Sequence, residues 1–224
     1  MASGMNIAQT NAITMTLSAT RLATFDAARG FSSSADTLGK YSWHALTSAA
    51  FFASLHICEV TIRNAIDEAL TKIYGPNWPW NPTFERSLPN PRGQNFNPKM
   101  ELLRARKKLS IGTTGKLIAE LKFAFWCHMF TSRYQVRIWD ANVYAVFPNI
   151  PAFYSAAQAR QAIYLELESL RQFRNRIAHH EPILTSPLSD RQTSIETLLA
   201  WRSNETLIWH RTWEIISKNI AAKP

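Results

Sequence analysis

Residues 155–180 read as one long helix whose apolar stripe contains an arginine, and that constrains the fold more than any other feature of the chain. On a helical wheel at ~100° per residue, Leu167, Leu170 and Ile177 fall within ~40° of Ile163, and Arg174 falls in the middle of the stripe they define. A guanidinium cannot be deprotonated and is costly to bury unpaired. A fold that buries this face must therefore bring a carboxylate, a second chain or a phosphate to Arg174. Asn175 and His179 follow one turn apart on a shared face. Asn175 can hydrogen-bond one imidazole nitrogen of His179 and leave the other free. Ser155 is placed to cap the helix and Pro182 prevents its continuation.

The remainder of the 224 residues also reads helix after helix, with no strand pair and no internal repeat. Residues 1–15 read as a disordered leader, with neither the basic n-region nor the apolar core of a signal peptide. Residues 16–222 read as a single all-α domain, a multi-helix bundle. Helical runs are expected over 18–29, closed by Gly30, and over 37–74 with a break near 42–47, ended by Gly75-Pro76. Residues 31–36 are Ser-rich and turn-like. Pro76, Pro79, Pro82, Pro89, Pro91 and Pro98, with tryptophans between them, predict a long loop without regular helix. Further helices are expected over 98–109, from Thr113 or Thr114 to 130, over 133–147, and in two final runs capped by Ser189 and Ser203.

Composition narrows the function. Hydrophobic content of 46% and charged content of 18% are globular values. The chain has 7 glycines and no GxxxxGK[ST] or GxGxxG string, which argues against a P-loop or dinucleotide fold. A formal charge of +9 points to a polyanionic partner, nucleic acid being the commonest; a basic surface without a dedicated partner is the alternative. Cys58 and Cys127 lie in apolar helical runs and read as reduced core thiols of a cytoplasmic protein. No Cys/His set has zinc-ligand spacing, and no segment approaches the ~18 uninterrupted apolar residues of a membrane span.

Four blocks, LHICEVTIRNAI (55–66), GKLIAELKFAFW (115–126), WDANVYAVFP (139–148) and RNRIAHHEPI (174–183), resemble in this order the HEPN superfamily, and within it the Abi-like (abortive infection) branch. The signature is an arginine, a polar residue that is often asparagine, a few residues, then histidine. The resemblance implies an all-helical, usually dimeric domain. Many such domains are metal-independent ribonucleases without a cofactor, acting in antiviral defence or as toxins; others have lost catalysis. It implies an RNA substrate, a homodimer, and an antitoxin or other regulatory protein as a further partner.

The candidate catalytic residues are Arg174, Asn175, His179 and His180. Metal-free RNA cleavage needs a base for the 2′-hydroxyl, an acid for the leaving 5′-oxygen and a cation for the phosphorane charge. Histidine titrates in the right range and arginine forks onto phosphate oxygens. One helix supplies one such histidine, so a twofold arrangement would complete the set. On an ideal helix both histidines lie more than ~100° from Arg174. Either the last turn is distorted or the groups act across a dimer cleft. The plainer reading is a structural arginine paired with a core carboxylate and a histidine capping a helix end.

Glu59, Arg63 and Asn64 form a second polar group. Glu59 lies within ~40° of the stripe of Leu55, Ile62 and Ile66, and needs a cation, either Arg63 nearby or Arg174 from afar. An interhelical salt bridge supporting Arg174 is expected there. Lys99, Arg104, Arg106, Lys107 and Lys108 form the densest basic cluster, either an RNA-binding patch or a solvated helix face. Trp78 and Trp80 can stack bases or pin their loop to the core. Trp209 and Trp213, one turn apart, read as core. The functional alternatives are an endoribonuclease, a non-catalytic dimerising module that binds RNA or protein, and, more weakly, nucleotide binding between helices.

Overall fold

The computed structural model of the chain describes residues 5–26, 34–93 and 96–224. The described residues are all-α, with no β-strand. The α-helices are α1 (Ile7–Leu17), α2 (Ala19–Asp26), α3 (Ser34–Tyr74), α4 (Pro82–Ser87), α5 (Pro98–Arg106), α6 (Thr114–Glu120), α7 (Phe123–His128), α8 (Asp140–Val146), α9 (Ala156–Ala178), α10 (Leu188–Arg202), α11 (Asn204–Trp213) and α12 (Ile216–Ala221).

The centre of the fold is α3, 41 residues and about 60 Å long at 1.5 Å per residue. Phe51, Leu55, Ile62, Ile66 and Leu70 recur at helical spacing and are buried. They pack against α7, α8, α9 and α10. The break expected near 42–47 does not occur. Trp43 is buried there and its indole donates to the Asn219 carbonyl at 2.7 Å, so packing on α12 carries the helix through. Gly75, at φ 81°, closes α3 in the left-handed conformation, with Pro76 behind it. By length and composition α3 could cross a membrane, with a mean hydropathy of 1.5 in its most apolar window. Here α2, α7, α8, α9, α10 and α12 pack on it.

The motif helix α9 packs on α3, α7, α8 and α10. Ser155 and Gln158 form a reciprocal capping box at its start. Ala159, Ile163, Leu167, Leu170, Phe173 and Ile177 are buried, as the period predicts. The contact of Phe51 with Phe173, edge to face at 4.9 Å between ring centroids, fixes the register of α9 on α3.

Several expectations need correction. Of the expected leader, residues 7–15 lie in α1, which starts where Asn6 and Gln9 cap each other's backbone N–H groups at 3.0 and 2.9 Å, and residues 1–4 lie outside the described residues. The proline-rich loop contains a 3-10 turn, Trp78–Trp80, and α4, since Pro79 and Pro82 each occupy the opening positions where a missing N–H costs nothing. The run expected to reach 130 breaks at Leu121 and Lys122. There the Lys122 N–H turns to the Glu101 carboxylate (3.4 Å) instead of a helical carbonyl. The run over 133–147 begins as a 3-10 turn and a π turn, Gln135–Trp139, before α8. Ser203 caps α11 as expected, whereas α10 starts one residue before Ser189 and Glu214 opens a separate α12. Gly30 and the start of the Ser-rich turn lie outside the described residues; Ser34 and Asp36 belong to α3.

Candidate functional site

Arg174 lies half-buried between α9 and α3, its guanidinium 5.8 Å from the centre of the Phe52 ring. Two clefts meet at it. One, of about 200 Å³, is walled by Phe52, His56, Val60 and the Glu59–Arg63 pair. The other, of about 370 Å³, is closed by the α6–α7 break at Leu121 and Lys122, and by Arg171 and Asn175.

The pairing of charges around Arg174 is uneven. Glu59 accepts from Arg63 one turn on in the same helix, the local of its two candidate partners, so the interhelical salt bridge expected to support Arg174 is not formed. Arg171 forks onto Glu168. Lys122 meets Glu101 at 3.4 Å. Among the described residues Arg174 alone of these cations has neither a hydrogen bond nor an ion pair. The Arg63 Nε is buried without a partner beside it. Asn64 is exposed and lines neither cleft, so the structure does not join it to this group.

The end of α9 is built differently. His179 is the C-cap, its N–H bonded to the Asn175 carbonyl at 2.9 Å. That backbone bond is the link between the two residues: the Asn175 side chain lines the Arg174 cleft, while the His179 ring is exposed. His180 takes φ 57°, a left-handed conformation that glycine usually supplies at this position. The N–H groups of His180 and Glu181 return to the carbonyls of Ile177 (2.9 Å) and Arg176 (2.8 Å), a Schellman closure. The last turn is thus distorted toward Pro182, but neither cleft lined by Arg174 reaches His179 or His180.

Sequence reasoning missed the groups that hold this end. Arg21 of α2 donates to the His180 carbonyl at 2.7 Å, and its Nε donates to the Tyr41 hydroxyl at 3.1 Å. His44 is buried close by. Burial, then the fields of Arg21 and His180, hold its pKa below the usual histidine value. Nothing local in the sequence signals these contacts, since 159 residues separate Arg21 from His180.

The basic cluster on α5 is partly spent. Lys99 (3.4 Å) and Arg106 (2.9 Å) clamp Glu85, whereas Arg104, Lys107 and Lys108 are exposed. Trp78 is buried and donates to Asp67 at 2.7 Å, pinning the proline-rich segment, with Trp80 packed beside the core. Trp209 is half-exposed, which corrects its reading as core, whereas Trp213 is half-buried, its indole Nε1 enclosed and its ring against the buried His210. Burial pushes the Cys58 thiol up to about 12, reinforced by Glu59, and also raises that of Cys127, so neither is poised as a nucleophile. No group of three or more His, Cys, Asp or Glu side chains that could hold a metal ion forms among the described residues.

Comparisons with models of protein families, with characterised proteins and with solved structures give no match to this chain.

Proposed function

We propose that the chain is a metal-independent endoribonuclease of the HEPN-like, abortive-infection or toxin type, acting as a cytoplasmic homodimer. The observation that carries this reading is Arg174: a half-buried guanidinium at the junction of two clefts, beside cations that each have a carboxylate, with none of its own among the described residues. Such a group is completed by an anion. A scissile phosphate fits, because the arginine fork can take two of its oxygens and stabilise the charge that builds on them.

In this reading the 2′-hydroxyl of the preceding ribose attacks phosphorus, and the 5′-oxygen leaves. His179 or His180 takes the first proton or supplies the second. Asn175 contacts the phosphate or ribose from the cleft. Within one chain Arg174 and the histidines face different ways, so the second copy brings a histidine to the phosphate held by Arg174. Exposed apolar residues on α3 support that pairing: Ala45, Leu46, Ala49, Phe52, Ala53 and Val60 are exposed, and Phe52 and Val60 line the Arg174 cleft. A specific dimer would bury at least ~1,000 Å² there.

The test is cleavage of a single-stranded RNA in EDTA. The expected products carry a 2′,3′-cyclic phosphate and a 5′-hydroxyl, and an all-deoxy strand of the same sequence resists. Arg174→Ala is expected to lower the rate by about 10²–10³-fold.

The separation of Arg174 from His179 within one chain favours a second reading, a non-catalytic module that dimerises through α3 and binds RNA or a protein. RNA binding without cleavage, in wild type and variants alike, would select it.

A further inference from the structure

A further cleft, of about 180 Å³, lies between α7 and α9. Its walls are Phe96, the His128 ring and Tyr164, with Thr131 at one edge and the Glu168–Arg171 pair at the rim. It adjoins the larger Arg174 cleft, because Ala124 and Arg171 line both. Tyr164, Glu168, Arg171 and Asn175 follow at i, i+4, i+7 and i+11 along one face of α9. They form a continuous polar edge about 16 Å long from one cleft to the other.

Three properties define what this cleft accepts. It is smaller than the ~300 Å³ at which pockets for drug-sized molecules begin, so it suits one planar ring system. Its charge is balanced, since Arg171 is forked onto Glu168, so a phosphate gains little there. Its aromatic groups are partly open: Phe96 is about one-third exposed and meets the His128 ring edge-on at 6.4 Å. Burial, then Arg133, lowers the His128 pKa, so the ring is neutral at pH 7, and its Nε2 is buried without a partner. Neutral aromatic walls rimmed by donors and acceptors match an unstacked nucleobase.

We propose that the Phe96–His128–Tyr164 cleft is a nucleobase subsite, in which one base of a single-stranded RNA inserts while a neighbouring phosphate of the same strand rests on Arg174. This rests on the ribonuclease reading for the identity of the strand. The Glu168 carboxylate and the Arg171 guanidinium at the rim offer an acceptor and donors to the base edge, so these two residues set base preference.

The test uses short single-stranded 2′-fluoro oligonucleotides, which keep bases and phosphates but lack the attacking hydroxyl. In one set each base in turn is replaced by an abasic ribose, and affinities are measured by fluorescence anisotropy. Removal of the base at one position should weaken binding by about 10-fold, the scale of one stacked base, while removal elsewhere costs less. Phe96→Ala, a change at an exposed side chain, should erase that position dependence, and Glu168→Gln should alter base preference without loss of the fold. Arg174→Ala should weaken binding of every oligonucleotide by a common factor and keep the position dependence. Binding that ignores base removal at all positions would overturn the subsite and leave the ribonuclease reading standing. No binding of any oligonucleotide would overturn both. A nucleoside monophosphate that binds as tightly as the strand would overturn the strand assignment and give the cleft to a free nucleotide.

Discussion

Two arginines on α9, Arg160 and Arg174, lie within about 40° of each other on the helical wheel and meet opposite fates. Arg160 is buried. Its nitrogens donate to Gln135 Oε1 at 2.6 Å, to the Phe130 carbonyl and to Gln161 Oε1 at 3.0 Å. The π turn at Gln135–Trp139 helps to supply that cage. Arg174 faces two clefts and has an aromatic ring beneath it, but no acceptor among the described residues. The fold completes one arginine from within and leaves the other to be completed from outside. A cation on a buried stripe is therefore ambiguous until its partners are counted.

Stability should separate the pair most sharply. Arg160→Ala leaves the Phe130 carbonyl buried without its donor and should cost about 3 kcal/mol. Arg174→Ala removes no hydrogen bond among the described residues, only the contact with the Phe52 ring, and should cost no more than about 1 kcal/mol. Urea denaturation of the two variants measures both. Equal losses would erase the distinction.

Glu59→Ala comes next. It strips Arg63 of its carboxylate in a setting where Arg63 Nε already lacks a partner. A fully buried broken pair costs about 3–5 kcal/mol; with 15% and 19% of the two side chains still exposed, about 1–3 kcal/mol is expected. If Arg174 instead relied on Glu59, the double variant Glu59→Ala, Arg174→Ala would lose less than the sum of the singles.

His180→Gly should raise stability by about 1 kcal/mol, because glycine adopts φ 57° without the Cβ penalty. If His180 is a catalytic group, the same variant loses cleavage while melting higher. If His179 is the group, cleavage survives. Differential scanning calorimetry with a cleavage assay on the same sample distinguishes these outcomes.

The smallest effect concerns a polar group between these extremes. His210 is buried, with Nε2 on Ser54 Oγ at 2.9 Å and Nδ1 unpartnered. Burial is the main cause of its lowered pKa, partly opposed by Glu196 and Glu214. The unfolded chain then takes up the proton first. The stability this group contributes is complete above pH 6.5, declines as pH falls below it, and is lost once pH drops past the folded value. His44 and His128 are lowered in the same direction. A urea midpoint that falls between pH 7 and 5, and falls less in His210→Gln, is the expected result.

Much of this contrast was legible in the sequence, and its limits have physical causes. The period of Ile163, Leu167, Leu170 and Ile177, the Ser155 cap and the stop at Pro182 depend on neighbours within a few turns, and all are found. The Glu59–Arg63 pair, at i,i+4, was likewise within reach of local reasoning. The cage around Arg160 was not, because two of its three acceptors come from 25 and 30 residues away, one of them on a π turn that no composition signals. Nor was the Arg21 grip on His180, or the break at Leu121 and Lys122 that opens the larger cleft. Tertiary partners decide such places, and the candidate site is made of them.

The most direct test of the composite site mixes two inactive variants. Arg174→Ala chains are combined, after co-refolding, with chains carrying both His179→Ala and His180→Ala. Random pairing makes half of the dimers mixed, each with one of its two sites intact, so about a quarter of wild-type cleavage should return in EDTA. Cleavage that stays at the level of the separate variants, in a mixture shown by mass to contain the mixed dimer, would contradict the account.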